Sequence, residues 1–233
     1  MKPISRGKYK RWFDVSIVVI AHIVLFPIFI PLWLLIPLAI FLVDGRPVFY
    51  TQERVGRYGK IFKAYKFRTM IKDAEKKGPS YTEANDPRVL PLIGRLLRAS
   101  GLDELPQVIN ILKGDISLVG PRPLSISDYE RCVQSIPNFR ERERMMPGLT
   151  GLSQLYADRL SWEEWLYYDL EYERRMSFWL DIKILILSVL TTLSGRWDRR
   201  GKRAISSSKH VHTVRSVTLT PDFIKISKKY LSF

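Results

Sequence analysis

Between Val15 and Val43 the chain runs for 29 residues without an Asp, Glu, Lys or Arg. Eighteen or more such residues is the length at which a segment becomes a membrane candidate, and buried core helices rarely keep so long an uncharged run. A cleavable signal peptide fits poorly, because the run is too long and no small-residue cleavage site follows it. A single straight spanning helix also fits poorly. It would be about 43 Å long, against a hydrocarbon core of about 30 Å. The run contains Pro27, Pro31 and Pro37, and proline removes a backbone hydrogen bond and kinks or breaks a helix. Both flanks are basic, with Lys2, Arg6, Lys8, Lys10 and Arg11 before and Arg46, Arg54, Arg57 and Lys60 after. Positive flanks stay cytoplasmic. A helix that enters, turns at Pro27 and leaves on the same side satisfies length, proline and charge together.

Charge reinforces the partition. The formal net charge of +15 is concentrated at the ends, with +4 over residues 1–14 and +8 over residues 196–233. Basic ends suit an anionic surface, either nucleic acid or the cytoplasmic leaflet, and the apolar run decides for lipid. Cys132 is the single cysteine, and the histidines are His22, His210 and His212. Disulfides within the chain and Cys-rich zinc sites are therefore excluded, and any metal must sit on carboxylates, which favours Mg²⁺ or Ca²⁺.

Beyond Val43 the pattern becomes that of a soluble α/β domain, mainly helical. Residues 47–53 and 61–69 read as two short strands joined by a turn with Gly56 and Gly59. Residues 71–77 read as a short helix, and another starts at Pro87 or Pro91 and ends near Gly101. DELPQVINILK (103–113) reads as a helix opened by Asp103 and Glu104 and stopped by Gly114. ISLV (116–119) is a short strand leading into the turn Gly120-Pro121-Arg122-Pro123. Ser161 with Glu164 makes a capping box for a helix over 161–176. Ser177 caps a last helix to Leu193, too short to span and therefore buried or interfacial. The expected division is 1–46 for the basic N-terminus and re-entrant membrane helix, 47–195 for a cytosolic catalytic domain with interfacial helices, and 196–233 for a basic tail.

Several residues carry two readings each. Asp103 and Glu104 suit a helix N-terminus by dipole and capping, and equally a nucleophilic carboxylate with a carboxylate neighbour. Lys66 and Arg68, at i and i+2 of a strand, share either a solvated face or a phosphate-facing one. Arg98 closes a helix, where a cation suits the dipole. Gly120-Pro121-Arg122-Pro123 is either a rigid turn or a rigid mount for a phosphate-clamping guanidinium.

Taken together, these residues form a longer signature. RWFD (11–14), the apolar run with Pro27, FYTQERVGRYGKIFKAYKFRTM (49–70), LIGRLLRASGLDELPQVINILKGDISLVGPRP (92–123), PGLTG (147–151), SWEEW (161–165) and SFWLDIKIL (177–185) resemble the bacterial sugar transferases that are monotopic phosphoglycosyl transferases. The resemblance covers about residues 8–195 and implies a function. Such enzymes move a sugar 1-phosphate from a UDP-sugar to polyprenyl (undecaprenyl) phosphate in the bacterial cytoplasmic membrane, on its cytosolic face, and release UMP. The step opens the assembly of capsule, O-antigen, exopolysaccharide or glycoprotein glycan. The resemblance further implies a helix break at Pro27, Asp103 as a nucleophile that carries a covalent phospho-sugar, Glu104 as its partner, and Mg²⁺ beside the dyad on Asp103. Lys66, Arg68, Arg98 and Arg122 become candidates for binding the donor's phosphates and nucleotide.

The chain departs from the family pattern at Phe26, where Ser is common, at Met146, where Arg is common, and at Leu152-Ser153, where Trp-Ala is common. The competing expectation is a non-catalytic membrane-anchored binding or scaffold protein, supported by the basic tail. Nucleic acid is not an expected partner. The sequence is compatible with a homo-oligomer and does not name the sugar.

Overall fold

A computed structural model describes residues 9–78, 86–157 and 161–194. The expected basic tail lies outside the described residues. The apolar run folds as two helices, α1 (Lys10–Val24) and α2 (Phe26–Asp44), interrupted at Leu25. The interruption falls two residues before Pro27, which sits in the first turn of α2. Pro27 offers no N–H to the carbonyl of the preceding turn, and its ring crowds that carbonyl. A proline in a first turn is tolerated, because that N–H has no intrahelical partner anyway. The Leu25 carbonyl accepts from the Ile28 and Phe29 amides, each at 2.9 Å, and the His22 and Phe29 rings stack across the break with centroids 4.4 Å apart. Pro31 and Pro37 lie within α2 without ending it.

Side chains around this break, among them Ile20, Ile23, Phe26 and Leu34, are exposed. Toward the outer ends one face of each helix is buried. Phe13 and Val18 of α1 join the largest apolar cluster, and Ile36 and Ile40 of α2 join a second one with Phe67, Leu90 and Leu97. The pair of helices is thus held at both outer ends by the same body, with its apolar middle uncovered. Among the described residues, α2 is the one helix long and apolar enough to cross a membrane.

Two small sheets organise that body. β1 (Phe49–Val55) and β2 (Ile61–Phe67) form an antiparallel hairpin in which Phe49 faces Phe67 and Val55 faces Ile61. β3 (Ser117–Val119) and β4 (Gly148–Thr150) pair in parallel. The expected strand at 61–69 ends early, at Phe67, and the expected helix at 71–77 is reduced to a 3₁₀ turn over Ala74–Lys77. α3 (Ile93–Ser100) starts after Pro91, and α4 (Val108–Lys113) is shorter than read from sequence. Three elements are not among those expected from the sequence: α5 (Ile126–Ser135), α6 (Leu152–Tyr156) and β4 itself. α7 (Trp162–Arg175) and α8 (Phe178–Leu193) follow, with Ser161 Oγ accepting from the Glu164 amide and Ser177 Oγ from the Leu180 amide. One side of α8 is buried through Asp181 and Ile184, while Trp179 stays 77% exposed.

A buried charge network joins the first and last of these helices. Lys10 Nζ donates to the Val119 carbonyl at 2.7 Å, to Tyr172 Oη at 2.7 Å and to Asp181 Oδ2 at 2.9 Å. Tyr172 Oη donates to Asp181 Oδ1 at 2.6 Å and Tyr9 Oη to Asp181 Oδ2 at 2.9 Å. Asp14 Oδ1 accepts from the Leu118 amide at 3.1 Å. α1, β3, α7 and α8 therefore meet at one ammonium. Removing one partner of a buried pair strands the other charge, at a cost of about 3–5 kcal/mol, whereas replacing both with apolar side chains is often neutral. Lys10→Met is expected to destabilise the protein by that amount in chemical denaturation, and Lys10→Met with Asp181→Leu to recover most of the loss.

Candidate active site

Asp103 and Glu104 lie on a 3₁₀ helix, Leu102–Gln107, that precedes α4, and not in the first turn of an α-helix. Pro106 explains the correction, since it has no N–H to give to the Leu102 carbonyl and the turn tightens to i→i+3 bonding. The Glu104 amide accordingly donates to the Gly101 carbonyl at 3.1 Å. Gly101 enters this turn with φ +71°, in the left-handed region open to glycine. So short a segment offers little of the dipole expected of a long helix, and the positive potential at the dyad comes from side chains.

The 3₁₀ turn is fixed to the hairpin by a residue the sequence did not single out. Asn110 of α4 is fully buried. Its amide nitrogen donates to the Lys63 carbonyl at 2.8 Å and to Asp115 Oδ2 at 3.0 Å, and its oxygen accepts from the Tyr65 amide at 3.0 Å. The side chain thus reads the outer edge of β2 on either side of Ala64, and Lys66 follows two positions later. The only sequence signal for it is a polar residue inside the apolar stretch VINIL.

Lys66 Nζ stands 2.5 Å from Glu104 Oε1 and 3.8 Å from Asp103 Oδ2. Arg122 Nη2 stands 3.5 Å from the same Glu104 oxygen. Arg54 lines the same small pocket, together with Gln107, Pro123 and Leu149. In the sequence Arg54 belongs to the basic flank and to the motif at 49–70, with no role of its own. Burial and the neighbouring Arg122 guanidinium push Arg54 down to about 10, which reports how crowded with cations the pocket is. Three basic side chains thus converge on the dyad from β1, β2 and the Gly120–Pro123 turn.

The two carboxylates respond differently. Burial opposes charge on Glu104, but Lys66 and Arg122 outweigh it, with Arg54 adding to them, and hold the group down to about 2. Asp103 is 9% exposed, and burial raises it above the ordinary aspartate value. Lys66 pulls the other way, the Glu104 charge adds to the rise, and Arg98 and Arg122 exert smaller downward pulls. Glu104 is the engaged anion, and Asp103 the carboxylate with lone pairs less committed to cations.

Arg98, from α3, reaches the dyad through its field. Arg68 is directed elsewhere. Its guanidinium lies 3.1 Å from Asp44 Oδ2, and its Nη2 donates to the carbonyls of Asp44 at 3.1 Å and Gly45 at 2.8 Å. The alternation that linked it to Lys66 fails because β2 stops at Phe67. Arg68 fastens the end of α2 to the strand that carries Lys66.

The mount of Arg122 is tightly built. The Gly120 amide donates to the Thr150 carbonyl at 2.8 Å and the Gly148 amide to the Pro121 carbonyl at 2.9 Å. A Cβ on Gly148 would stand 2.0 Å from the Gly120 nitrogen, so glycine is required for GPRP and PGLTG to lie side by side. Arg54 Nη1 donates to the Pro123 carbonyl at 2.9 Å.

The dyad fits Mg²⁺ only as a shared site. No group of three or more His, Cys, Asp or Glu suited to a metal occurs among the described residues. Mg²⁺ in nucleotide enzymes is commonly held by one or two carboxylates, with substrate phosphate and water completing the shell, and two adjacent carboxylates meet that requirement. Since Glu104 is already paired by Lys66, Asp103 is the better ligand of the two.

Comparison with known proteins matches residues 5–195 to the family model described as bacterial sugar transferase. The chain belongs to that family. It is 35% identical over 190 residues to the UDP-N-acetylgalactosamine-undecaprenyl-phosphate N-acetylgalactosaminephosphotransferase of Aeromonas hydrophila, covering 80% of this chain and 44% of that protein. It is 41% identical over 165 residues to the UDP-glucose:undecaprenyl-phosphate glucose-1-phosphate transferase of Escherichia coli K12, covering 68% and 35%. It is 34% identical over 205 residues to the exopolysaccharide production protein ExoY of Sinorhizobium fredii, covering 81% and 87%. The chain therefore spans less than half of the first two relatives and most of the third. The matched family region contains every element described above, including the dyad, the Arg122 turn and the broken apolar helix pair.

Because Asn110 fixes the strand of Lys66 to the segment of the dyad, its loss leaves a buried amide and a buried carbonyl unmatched, at about 1–3 kcal/mol for such a group. Asn110→Ala is expected to lower stability by about that amount in urea titration.

Proposed function

We propose that this chain is a phosphoglycosyl transferase that moves a sugar 1-phosphate from a UDP-sugar to polyprenyl phosphate at the cytosolic face of the bacterial cytoplasmic membrane. The observation that carries the reading is the gathering of Arg54, Lys66 and Arg122 around half-buried Glu104, beside the buried Asp103. A nucleoside diphosphate sugar brings negative charge that repels a carboxylate nucleophile, and this cluster of cations offsets that repulsion. The names of the Aeromonas and Escherichia relatives, which join a UDP-sugar to undecaprenyl phosphate, support the same donor and acceptor classes. They name different sugars, so the sugar of this chain is a matter for a donor panel.

In the proposed reaction an Asp103 oxygen attacks the phosphorus that bears the sugar. The bond from that phosphorus to the bridging oxygen breaks, and UMP leaves with the electron pair. An acyl phosphate ester of the sugar remains on Asp103. An oxygen of polyprenyl phosphate then attacks the same phosphorus, the ester bond breaks, and Asp103 regains its carboxylate as polyprenyl-diphospho-sugar departs. Lys66 and Arg122 keep Glu104 ionised and orient the phosphates. Asp103, with the donor's phosphate oxygens, would hold Mg²⁺, which when bound neutralises charge on the diphosphate. A covalent intermediate lets a soluble donor and a lipid acceptor use one site in turn.

The membrane arrangement follows from the two anchored ends of the apolar helix pair. Lys10 is tied to β3 and α8, Asp44 to Arg68, and the exposed apolar stretch lies between them. This supports a re-entrant element whose break near Pro27 sits in the bilayer and whose ends both return to the cytosol. Exposed apolar side chains on α3 and α8, such as Leu96 and Trp179, suit helices lying in the interface. Single cysteines placed at Ser5 and Lys60, in a Cys132→Ser background, are expected to be shielded together from a membrane-impermeant thiol reagent added outside intact cells. Labelling of one position alone would mean a spanning helix.

Membrane-embedded protein given Mg²⁺ and a matched UDP-sugar, without polyprenyl phosphate, is expected to release at most one UMP per site. Mass spectrometry should then find a sugar-phosphate adduct on the Asp103 peptide, discharged when polyprenyl phosphate is added. Asp103→Asn is expected to abolish burst and adduct together. UMP release that requires the lipid, with no adduct under any condition, would favour direct transfer. Absence of turnover across the whole donor panel would favour the scaffold alternative.

A further inference from the structure

The prolines of the Arg122 turn do not by themselves determine where its guanidinium points. Pro121 and Pro123 fix their own φ angles, and Arg122, preceding a proline, is biased to extended backbone. The Pro121 carbonyl is held by the Gly148 amide, the Pro123 carbonyl by Arg54 and the Leu124 carbonyl by the Val55 amide at 3.0 Å. The remaining freedom is the torsion that turns the Arg122 carbonyl. That oxygen accepts from Arg142 Nη2 at 2.9 Å.

Arg142 is itself firmly anchored. It is buried, and its nearest charge partner is Asp169 of α7, also buried. Its Nε donates to Asp169 Oδ2 at 2.8 Å, and its Nη2 lies 2.7 Å from the same oxygen. The guanidinium carbon stands 5.1 Å from the centre of the Phe139 ring. A lone buried ion pair is weak evidence for stability, because desolvation offsets its attraction. This pair has a further hydrogen bond leading out of it, to the backbone of a residue whose side chain faces Glu104 at 3.5 Å.

We infer that Arg142, anchored by Asp169, is a positioning residue that holds the Arg122 backbone so that its guanidinium meets the donor's phosphate. The inference rests on the UDP-sugar reading. It goes beyond it by assigning a role in donor binding to a pair that touches neither carboxylate of the dyad. Arg142 acts through Arg122, so its contribution should vanish when Arg122 has no guanidinium to place.

The test is a double-mutant cycle on UDP affinity, measured by calorimetry on the full chain in membrane mimetic. Arg142→Met with Asp169→Leu removes both charges at once, which spares the fold the penalty of one stranded ion, and thermal unfolding checks that the variant is folded. UDP affinity is expected to fall about tenfold or more, as for residues coupled in one hydrogen-bond network. In an Arg122→Ala background the same pair of substitutions is expected to change affinity less than about twofold. An equal loss in both backgrounds would mean general loosening and would overturn the inference, as would unchanged affinity when Arg122 is intact. Wild-type protein that fails to bind UDP would overturn the donor reading, and this inference with it. Should the paired substitution not fold, Arg142→Lys replaces the two-armed fork with one ammonium while keeping the charge beside Asp169. The loss is again expected only when Arg122 is intact.

Discussion

A lysine at the start of an apolar helix is an unusual thing to bury, and the architecture converges on it. The ammonium of Lys10 gathers the carbonyl that closes β3, the phenol of α7 and the carboxylate of α8. Each partner comes from a different part of the chain, 109 to 171 residues away. Taking such a charge out of water costs several kcal/mol unless donors and acceptors are matched, and here three acceptors answer the three donors of an ammonium. Val119 is both a partner of Lys10 and the last residue of the strand that runs into the Arg122 turn. The apolar helix pair and the arginine beside Glu104 are therefore parts of one connected structure.

The site shows a second use of uneven electrostatics. Two adjacent carboxylates in one pocket would ordinarily repel each other, and one would be expected to hold a proton. The cations of β1, β2 and the arginine turn relieve this by acting mainly on Glu104. Asp103 is left buried but less directly engaged. Neighbouring groups of the same chemical type are thereby given distinct environments, which is the usual physical basis for giving them distinct roles.

Much of this was legible in the sequence, and the omissions have a common cause. The apolar run, its prolines and its basic flanks are local features, and they announced the broken helix pair. Asp103, Glu104, Lys66 and Arg122 stood in motifs that led to the family. Arg54 stood in the motif at 49–70 without a site assigned to it, and Arg142 stood in none of the motifs. Periodicity reports which face of its own element a residue occupies, but not which distant element packs against that face. Arg54 reaches across 69 residues to Pro123 and Arg142 across 27 to Asp169. Arg68 failed for a simpler reason: alternation predicts a shared face only while the strand continues, and β2 had already ended. The dyad's 3₁₀ turn was readable in principle from Pro106, which sits where an α-helix would need a donor.

The broken helix pair also acts as a measure of length. With 15 residues, α1 is about 22 Å long, less than the hydrocarbon thickness of about 30 Å. In the proposed membrane setting its tip cannot emerge on the far side, whatever the tilt. There Lys10 at one end and Asp44 at the other, both fastened to the folded domain, would mark the waterline. The height of Asp103 above the lipid would then be set by the ion pairs that tie both helix ends to the domain, not by how strongly any one helix prefers the interface. In that setting, membranes of different thickness or lipid composition would meet Asp103 at the same level relative to the two fastened helix ends.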